Sequence, residues 1–145
     1  MTPGTLFFDR HFRFYDGEEG QKILIALGTA HGVTVVVKTT SQSRRFRNDF
    51  GCQTDHRFPN FHLVKGCCCL SKPTWVCLDE YYEFKDSELL QRHFSGDIDR
   101  IGLLTDEITI ALMECALQSE DISPRQTRIV QAALDTFRAS PTEEQ

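Results

Sequence analysis

Two short apolar runs on either side of a glycine-containing break constrain this 145-residue chain more than any other feature. KILIAL occupies residues 22–27 and the β-branched VTVVVKT occupies residues 33–39, with Gly-Thr-Ala-His-Gly between them. Runs of this length and composition are typical of buried strands, and a break of this size is typical of a hairpin loop. The sequence therefore predicts a core built around an antiparallel strand pair.

Further strand candidates lie on both sides of this hairpin. They are residues 5–15, 60–65 and 74–78, and the last of these has the alternative of continuing through residue 84. Residues 41–59 show no periodicity, so we predict a long loop there. Long loops within compact domains usually carry function or are disordered.

The last third of the chain is predicted to be helical. Asp86 or Ser87 is a candidate N-cap for a short helix that runs through Arg92, and Thr105 is the candidate for a helix over 106–119. Ser123-Pro124-Arg125-Gln126 has the residue order of a capping box with proline at the first helical position. A third helix is therefore expected to run to about residue 139.

Charge is distributed unevenly along the chain. Residues 44–72 carry six basic and two acidic residues, whereas residues 79–145 carry fifteen acidic and six basic ones, and the formal net charge is −5. An acidic protein is a poor general binder of nucleic acid, but a local basic segment is able to meet phosphates. The alternative is a basic loop that is merely solvated.

The N-terminal segment and the cysteines indicate where in the cell the protein is expected to act. No apolar run approaches the roughly 18 residues of a membrane span, and MTPGTLFFDRHFRF has charges inside its apolar stretch, unlike a secretory signal. We therefore expect a soluble, cytoplasmic protein with no membrane partner. The six cysteines are then expected to be reduced thiols, because disulfides are uncommon in the cytosol.

The order of features from residue 17 to about 118 resembles the PemK/MazF family of toxin endoribonucleases. Gly20-Gln21-Lys22-Ile23 stands where family members have Gly-x-Arg-Pro, and Thr39-Thr40-Ser41-Gln42 stands where they have a Thr-Ser or Thr-Thr pair at a strand end. TWVCLDEYYEF, DSELLQRHFSGDI and TDEITIALMECAL are similar in spacing to the family's later strand and terminal helices. The chain departs from the family at Lys22, at Ile23 and in its third helix.

The resemblance implies a mostly β fold, an SH3-like small β-barrel followed by two or three α-helices. The chain would be a single domain over residues 1–145, with the barrel over about 5–84, the helical part over about 86–139 and a frayed tail over 140–145. Its implied function is that of a toxin–antitoxin endoribonuclease, a cytoplasmic hydrolase that cleaves single-stranded RNA without metal or other cofactor. A homodimer neutralised by a cognate antitoxin protein is also implied.

The alternative function is a non-catalytic binding module on the same barrel. Such a module would target a protein, as a gyrase poison does, or act as a regulator. The replacement of the family's arginine by Lys22 and the acidic C-terminal third both favour this alternative.

The catalytic residues that the resemblance implies are Lys22 and Thr40, with Ser41 as a supporting neighbour. Metal-free RNA cleavage needs a base, an acid and a cation for the charge that develops on the phosphate oxygens. Lys22 keeps a positive charge but lacks the bidentate fork of arginine. It would serve as a phosphate clamp, or as a base if burial lowered its pKa. The structural alternatives are a solvated lysine at a strand edge and two turn-forming hydroxyl residues.

RNA-binding residues are predicted in the loop that follows. Arg44, Arg45 and Arg47 are interleaved with Phe46, which combines the phosphate-pairing and base-stacking groups that single-stranded RNA recognition uses. His56 is a further candidate because histidine titrates near neutral pH. The alternatives are a phenylalanine that anchors the loop and a histidine that is only solvated.

No metal site is predicted from the sequence. The Cys-x3-His-x5-His spacing from Cys52 to His62 matches no established zinc motif. In a strand, Asp79 and Glu83 share a face that Glu80 does not, so these three carboxylates would not converge. The sequence also has no glycine-rich phosphate loop and no nucleophile elbow.

Overall fold

The computed structural model describes residues 1–42, 46, 49–55 and 57–139. Within these ranges the strands are β1 (Thr5–Arg13), β2 (Glu19–Ala30), β3 (Val33–Thr40), β4 (Gly51–Gln53), β5 (Asn60–Leu63), β6 (Thr74–Cys77), β7 (Tyr82–Lys85) and β8 (Ile98–Leu103). The helices are α1 (Asp86–Phe94), α2 (Asp106–Leu117) and α3 (Pro124–Ala139). The prediction of a mostly β chain with helices towards its C-terminal end is confirmed.

Strands β2 and β3 form the central hairpin that the two apolar runs predict. Ala30 lies opposite Val33, and the middle residues of both strands are fully buried. The turn is shorter than the break in the sequence, because only His31 and Gly32 lie between the strands. Their φ values are 54° and 78°, as a two-residue type I′ turn requires.

The sheet is antiparallel and open. Its strand order is β4-β5-β6-β3-β2-β1-β8, and β7 pairs with β3 off this path. Strand β3 therefore pairs with β2 along one edge and with β6 and β7, one after the other, along its other edge. No pairing joins the end strands β4 and β8 in the described ranges, so this sheet does not establish the closed SH3-like barrel.

Two strands lie where the sequence predicts none. Strand β4 falls inside the predicted loop 41–59, and β8 lies between α1 and α2 in the part predicted to be helical. Three residues are too few to give β4 a recognisable period. Strand β8 lacks a regular alternation of buried and exposed residues, because its register against β1 shifts between Leu6 and Phe7. The candidate strand over 74–84 is divided into β6 and β7.

Capping residues locate two of the three helices. The Thr105 hydroxyl accepts the N–H of a first-turn residue of α2 at 3.3 Å. Ser123 and Gln126 form the predicted capping box, with both reciprocal hydrogen bonds at 3.0 Å. Helix α1 differs, since its N-cap is Lys85 and no side chain caps it. Among the described residues, no helix is both long and apolar enough to span a membrane.

Helix α3 packs against β2 at a glycine. An added Cβ at Gly28 would lie 2.7 Å from the Cβ of Ala133, closer than side-chain carbons approach one another. Next to this contact, Ile129 and Val130 of α3 join Leu27 in the main hydrophobic core. The close approach of helix and sheet therefore depends on the missing side chain at Gly28.

We predict that Gly28→Ala lowers the free energy of unfolding by about 1–3 kcal/mol, because the added methyl group overpacks the contact. Urea denaturation measures the change. Ala133→Gly is the matched variant, since it costs about 1 kcal/mol of helix propensity by itself but removes the methyl that the new side chain meets. The double variant should lose less stability than the sum of the single variants, and strict additivity would contradict the explanation.

A disulfide bond joins Cys52 of β4 to Cys115 of α2. The expectation that all six cysteines are reduced thiols is therefore wrong for this pair, while Cys67, Cys68, Cys69 and Cys77 are free. The two bonded residues are 63 positions apart, and only the packing of β4 against α2 brings them together. The bond fastens the short edge strand that follows the 41–50 segment.

We expect the paired substitutions Cys52→Ser and Cys115→Ser to lower the free energy of unfolding by about 4 kcal/mol, the chain-entropy value for a loop of this length. Thermal unfolding with and without a reductant measures the effect. The reductant should destabilise the wild type and leave the double variant unchanged. Equal sensitivity of both proteins to reductant would contradict this prediction.

Candidate functional site

Lys22 and Thr40, implied as catalytic residues on separate strands, line one cleft of about 270 Å³. The register of β2 and β3, with Leu24 opposite Lys38, brings Lys22 and Thr40 to neighbouring strand positions. The residues that line this cleft are Lys22, Lys38, Thr40, Gln42, Phe46, Phe58, Cys77 and Asp79. The side chains of Lys38 and Thr40 share one face of β3 because strand residues alternate.

The Lys22 ammonium is half-buried and held at the sheet. Its Nζ donates a hydrogen bond to the carbonyl oxygen of Thr39 at 3.1 Å. Burial lowers the pKa of Lys22 below its ordinary value; the nearby Cys77 opposes this shift and the positive charge of Lys38 adds to it. Two of the three ammonium protons remain available for an anion.

The Thr40 hydroxyl keeps its proton for a ligand. Its oxygen accepts the backbone N–H of Gln42 at 3.2 Å, a local bond of the kind that turn-forming threonines make. A hydroxyl that accepts one hydrogen bond is still able to donate another. Ser41 is exposed and does not line the cleft, so the structure does not bring it to Lys22 and Thr40.

Sequence reasoning missed Lys38, a second cation in the cleft. Its ammonium lies 2.5 Å from the Glu80 carboxylate, and Glu80 also accepts a hydrogen bond from the Tyr82 hydroxyl at 2.6 Å. Burial raises the pKa of Glu80, but the hydrogen bonds from Lys38 and Tyr82 outweigh it, so this pKa lies below its ordinary value. The two-residue spacing of Lys38 and Thr40 on a predicted strand is the signal that would have found it.

Cys77 lines the cleft as a neutral thiol. Burial raises its pKa to about 11, although the positive charges of Lys38 and Lys22 both act in the opposite direction. Besides this thiol and the two lysines, the lining contains the carboxylate of Asp79, which is exposed. The lining therefore combines two basic residues with one acidic residue.

Phe46 lines the cleft as part of an aromatic cluster. Its ring stacks on Trp75 at 5.9 Å between centroids, and Trp75 stacks on the buried His62 at 4.6 Å. Phe58 packs edge-on against Phe46 at 6.5 Å. Phe46 therefore packs against other aromatic rings and lines the cleft, and its role in stacking on RNA bases stays a prediction.

The other predicted RNA-binding residues, Arg44, Arg45, Arg47 and His56, lie outside the described residues. Within the described ranges, no group of three or more His, Cys, Asp or Glu side chains is arranged to hold a metal ion. The cleft offers ammonium groups, a hydroxyl and aromatic rings, a combination suited to an oxyanion beside a planar group. Neither a protein-family model nor a curated protein sequence matches this chain.

We predict that Lys22 titrates below the ordinary pKa of lysine, because its burial disfavours the charged form. The Cε resonance of Lys22, followed by NMR across alkaline pH, measures this pKa. Lys38→Met should raise the pKa of Lys22, since it removes a neighbouring positive charge. Titration of Lys22 at the ordinary lysine pKa would contradict the burial argument.

Proposed function

We propose that this chain is a metal-independent endoribonuclease that cleaves single-stranded RNA in the cleft lined by Lys22 and Thr40. The observation that carries the proposal is that both residues share one small cleft with a second lysine and with Phe46. Cations beside an aromatic ring are the groups that bind phosphate and base in single-stranded RNA. The resemblance of the sequence to the PemK/MazF toxins, which is also what implies roles for Lys22 and Thr40, supports the same activity.

In the proposed reaction the ribose 2′-oxygen attacks the adjacent phosphorus in line, and the 5′-oxygen of the next nucleotide leaves. Solvent water accepts the proton of the 2′-OH and supplies one to the departing 5′-oxygen, so the products carry a 2′,3′-cyclic phosphate and a 5′-hydroxyl. The Lys22 ammonium stabilises the negative charge on the non-bridging oxygens, and the Thr40 hydroxyl donates a hydrogen bond to them. Phe46 stacks against a base of the bound strand.

The biological part of the proposal comes from the resemblance alone. The chain would be a divergent PemK/MazF-like toxin with an SH3-like barrel, active in the cytoplasm as a homodimer and neutralised by a cognate antitoxin. Lys22 in place of the family's arginine is the largest departure within the cleft.

Two features favour the second candidate, a binding module without catalysis. Lys22 uses one of its donors on Thr39, and Lys38 is paired with the Glu80 carboxylate. Each lysine thus already uses one hydrogen-bond donor within the protein. Such a cleft would bind an acidic segment of a protein partner and would not cleave RNA.

We expect wild-type protein to cleave a long single-stranded RNA in EDTA and to leave 2′,3′-cyclic phosphate ends. Lys22→Ala and Thr40→Ala should each lower the rate by about 10²–10³-fold, the usual effect of removing one group that stabilises transition-state charge. Lys22→Arg should retain activity because guanidinium binds phosphate bidentately. Gel analysis of end-labelled RNA measures the cuts.

Lys72→Ala is the matched control, since this exposed lysine does not line the cleft. It should cleave like the wild type. RNA that stays intact with correctly folded wild type would contradict catalysis and favour the binding module.

A further inference from the structure

The Lys38 ammonium is fixed in the cleft before any ligand arrives. Its side chain is 18% exposed, and it forms its ion pair with a Glu80 side chain that is 31% exposed. We propose that Lys38, positioned by Glu80 and Tyr82, binds a phosphate of a nucleic-acid strand together with Lys22. The identity of the ligand as a phosphodiester rests on the proposed function. The presence of both lysines in one cleft is an observation of the structure and does not depend on that function.

The geometry of the donors supports a second phosphate contact. An ammonium group has three protons, and Lys38 gives one hydrogen bond to Glu80. Its ammonium lies 6.0 Å from the centroid of the Tyr82 ring, and its side chain also lines the cleft with Lys22 and Thr40, where a bound anion would meet it. A flexible surface lysine loses rotamer entropy when it binds an anion, and Lys38 has already lost much of it.

The positive charges of Lys22 and Lys38 also support the binding of a phosphate by both lysines. Lys22 and Lys38 lie close enough that the positive charge of Lys38 disfavours protonation of Lys22, and both charges act on Cys77. Two like charges held in one half-buried cleft repel each other, and an anion between them relieves this repulsion. Asp79 opposes anion binding from the exposed part of the lining.

Glu80 is a positioning residue in this scheme. Tyr82 donates its hydroxyl hydrogen bond to the same Glu80 oxygen that binds Lys38. The Tyr82 ring is itself fixed between Phe12 and Tyr15, with ring centroids at 4.8 and 4.6 Å. Glu80 therefore acts on the ligand through Lys38, and its own negative charge works against anion binding.

The first test uses single-stranded DNA of uniform thymidine sequence, which lacks the 2′-OH and is not cut by the proposed reaction. Affinity is measured by fluorescence anisotropy at several salt concentrations. Lys38→Met should weaken binding about tenfold and reduce the slope of log affinity against log salt by about 0.7, the loss of one phosphate contact. Lys72→Met is the exposed control and should leave both values unchanged. Unchanged affinity and slope for Lys38→Met would overturn the proposal.

Substitutions of the two carboxylates separate positioning from charge. Asp79→Asn removes a negative charge and should tighten binding. Glu80→Ala also removes a negative charge, but it should weaken binding because Lys38 loses the carboxylate that positions it. Glu80→Gln should restore part of the affinity, since its amide oxygen still accepts from Lys38. Tighter binding by both Glu80 variants would overturn the positioning role.

A measurement on wild-type protein covers the case in which the Lys38 variant does not fold. Inorganic phosphate is titrated into the protein while the Cε resonances of Lys22 and Lys38 are followed by NMR. Both resonances should shift with one common dissociation constant. A shift of Lys22 alone, or of neither lysine, would overturn the proposal.

The outcomes also separate this inference from the proposed function. RNA cleavage that Lys38→Met leaves unaffected would retain the endoribonuclease and overturn the second phosphate contact. Phosphate shifts at both lysines, with RNA left intact, would support the paired-lysine site and count against catalysis.

Discussion

Strand β3 is the element on which the rest of this structure depends. It is nearly continuously buried, and it pairs with β2 along one edge and with β6 and β7 along the other. Its hydrogen bonds therefore join the first three strands of the chain to all those that follow, except β8. A slip of one residue in its register would turn Val35 and Val37 out of the core and carry Lys38 and Thr40 to the opposite face.

The cleft follows from the same register. Lys22 belongs to β2, Lys38 and Thr40 to β3, and Cys77 to β6, so three adjacent strands supply its lysines, hydroxyl and thiol. Side chains on a sheet face are spaced by strand pairing and not by loop conformation. The polar groups are therefore positioned by paired strands, and the Phe46 ring lines the same cleft.

The sequence predicted the parts of this arrangement that depend on local chemistry. The β-branched run 33–39, the cap at Thr105 and the capping box at Ser123 each specify an element through nearby residues, and each is found. The partners of these elements depend on tertiary contacts instead. The Cys52–Cys115 bond has no local signal because it depends on the contact between β4 and α2, and β4 itself is a strand through its pairing with β5.

The same distinction applies within the cleft. The resemblance implies roles for Lys22 and Thr40 from two short segments, and the pairing of β2 with β3 brings the two residues to one cleft. The alternation of strand residues predicts that Lys38 shares a face with Thr40, but it does not predict that this lysine is half-buried. Its burial and its bonds to Glu80 come from residues more than 40 positions away, which no local pattern reports.

A single lysine is a weak phosphate ligand compared with arginine, because its ammonium is a point charge without a planar fork. Two ammonium groups on neighbouring strands remove part of this weakness, since they approach one anion from two directions that the sheet fixes. The cost is mutual repulsion, which the Glu80 carboxylate limits by pairing with Lys38 alone. In the proposed site, Lys22 has no carboxylate partner among the described residues. The stronger attraction for the phosphate therefore comes from Lys22, which lies beside Thr40.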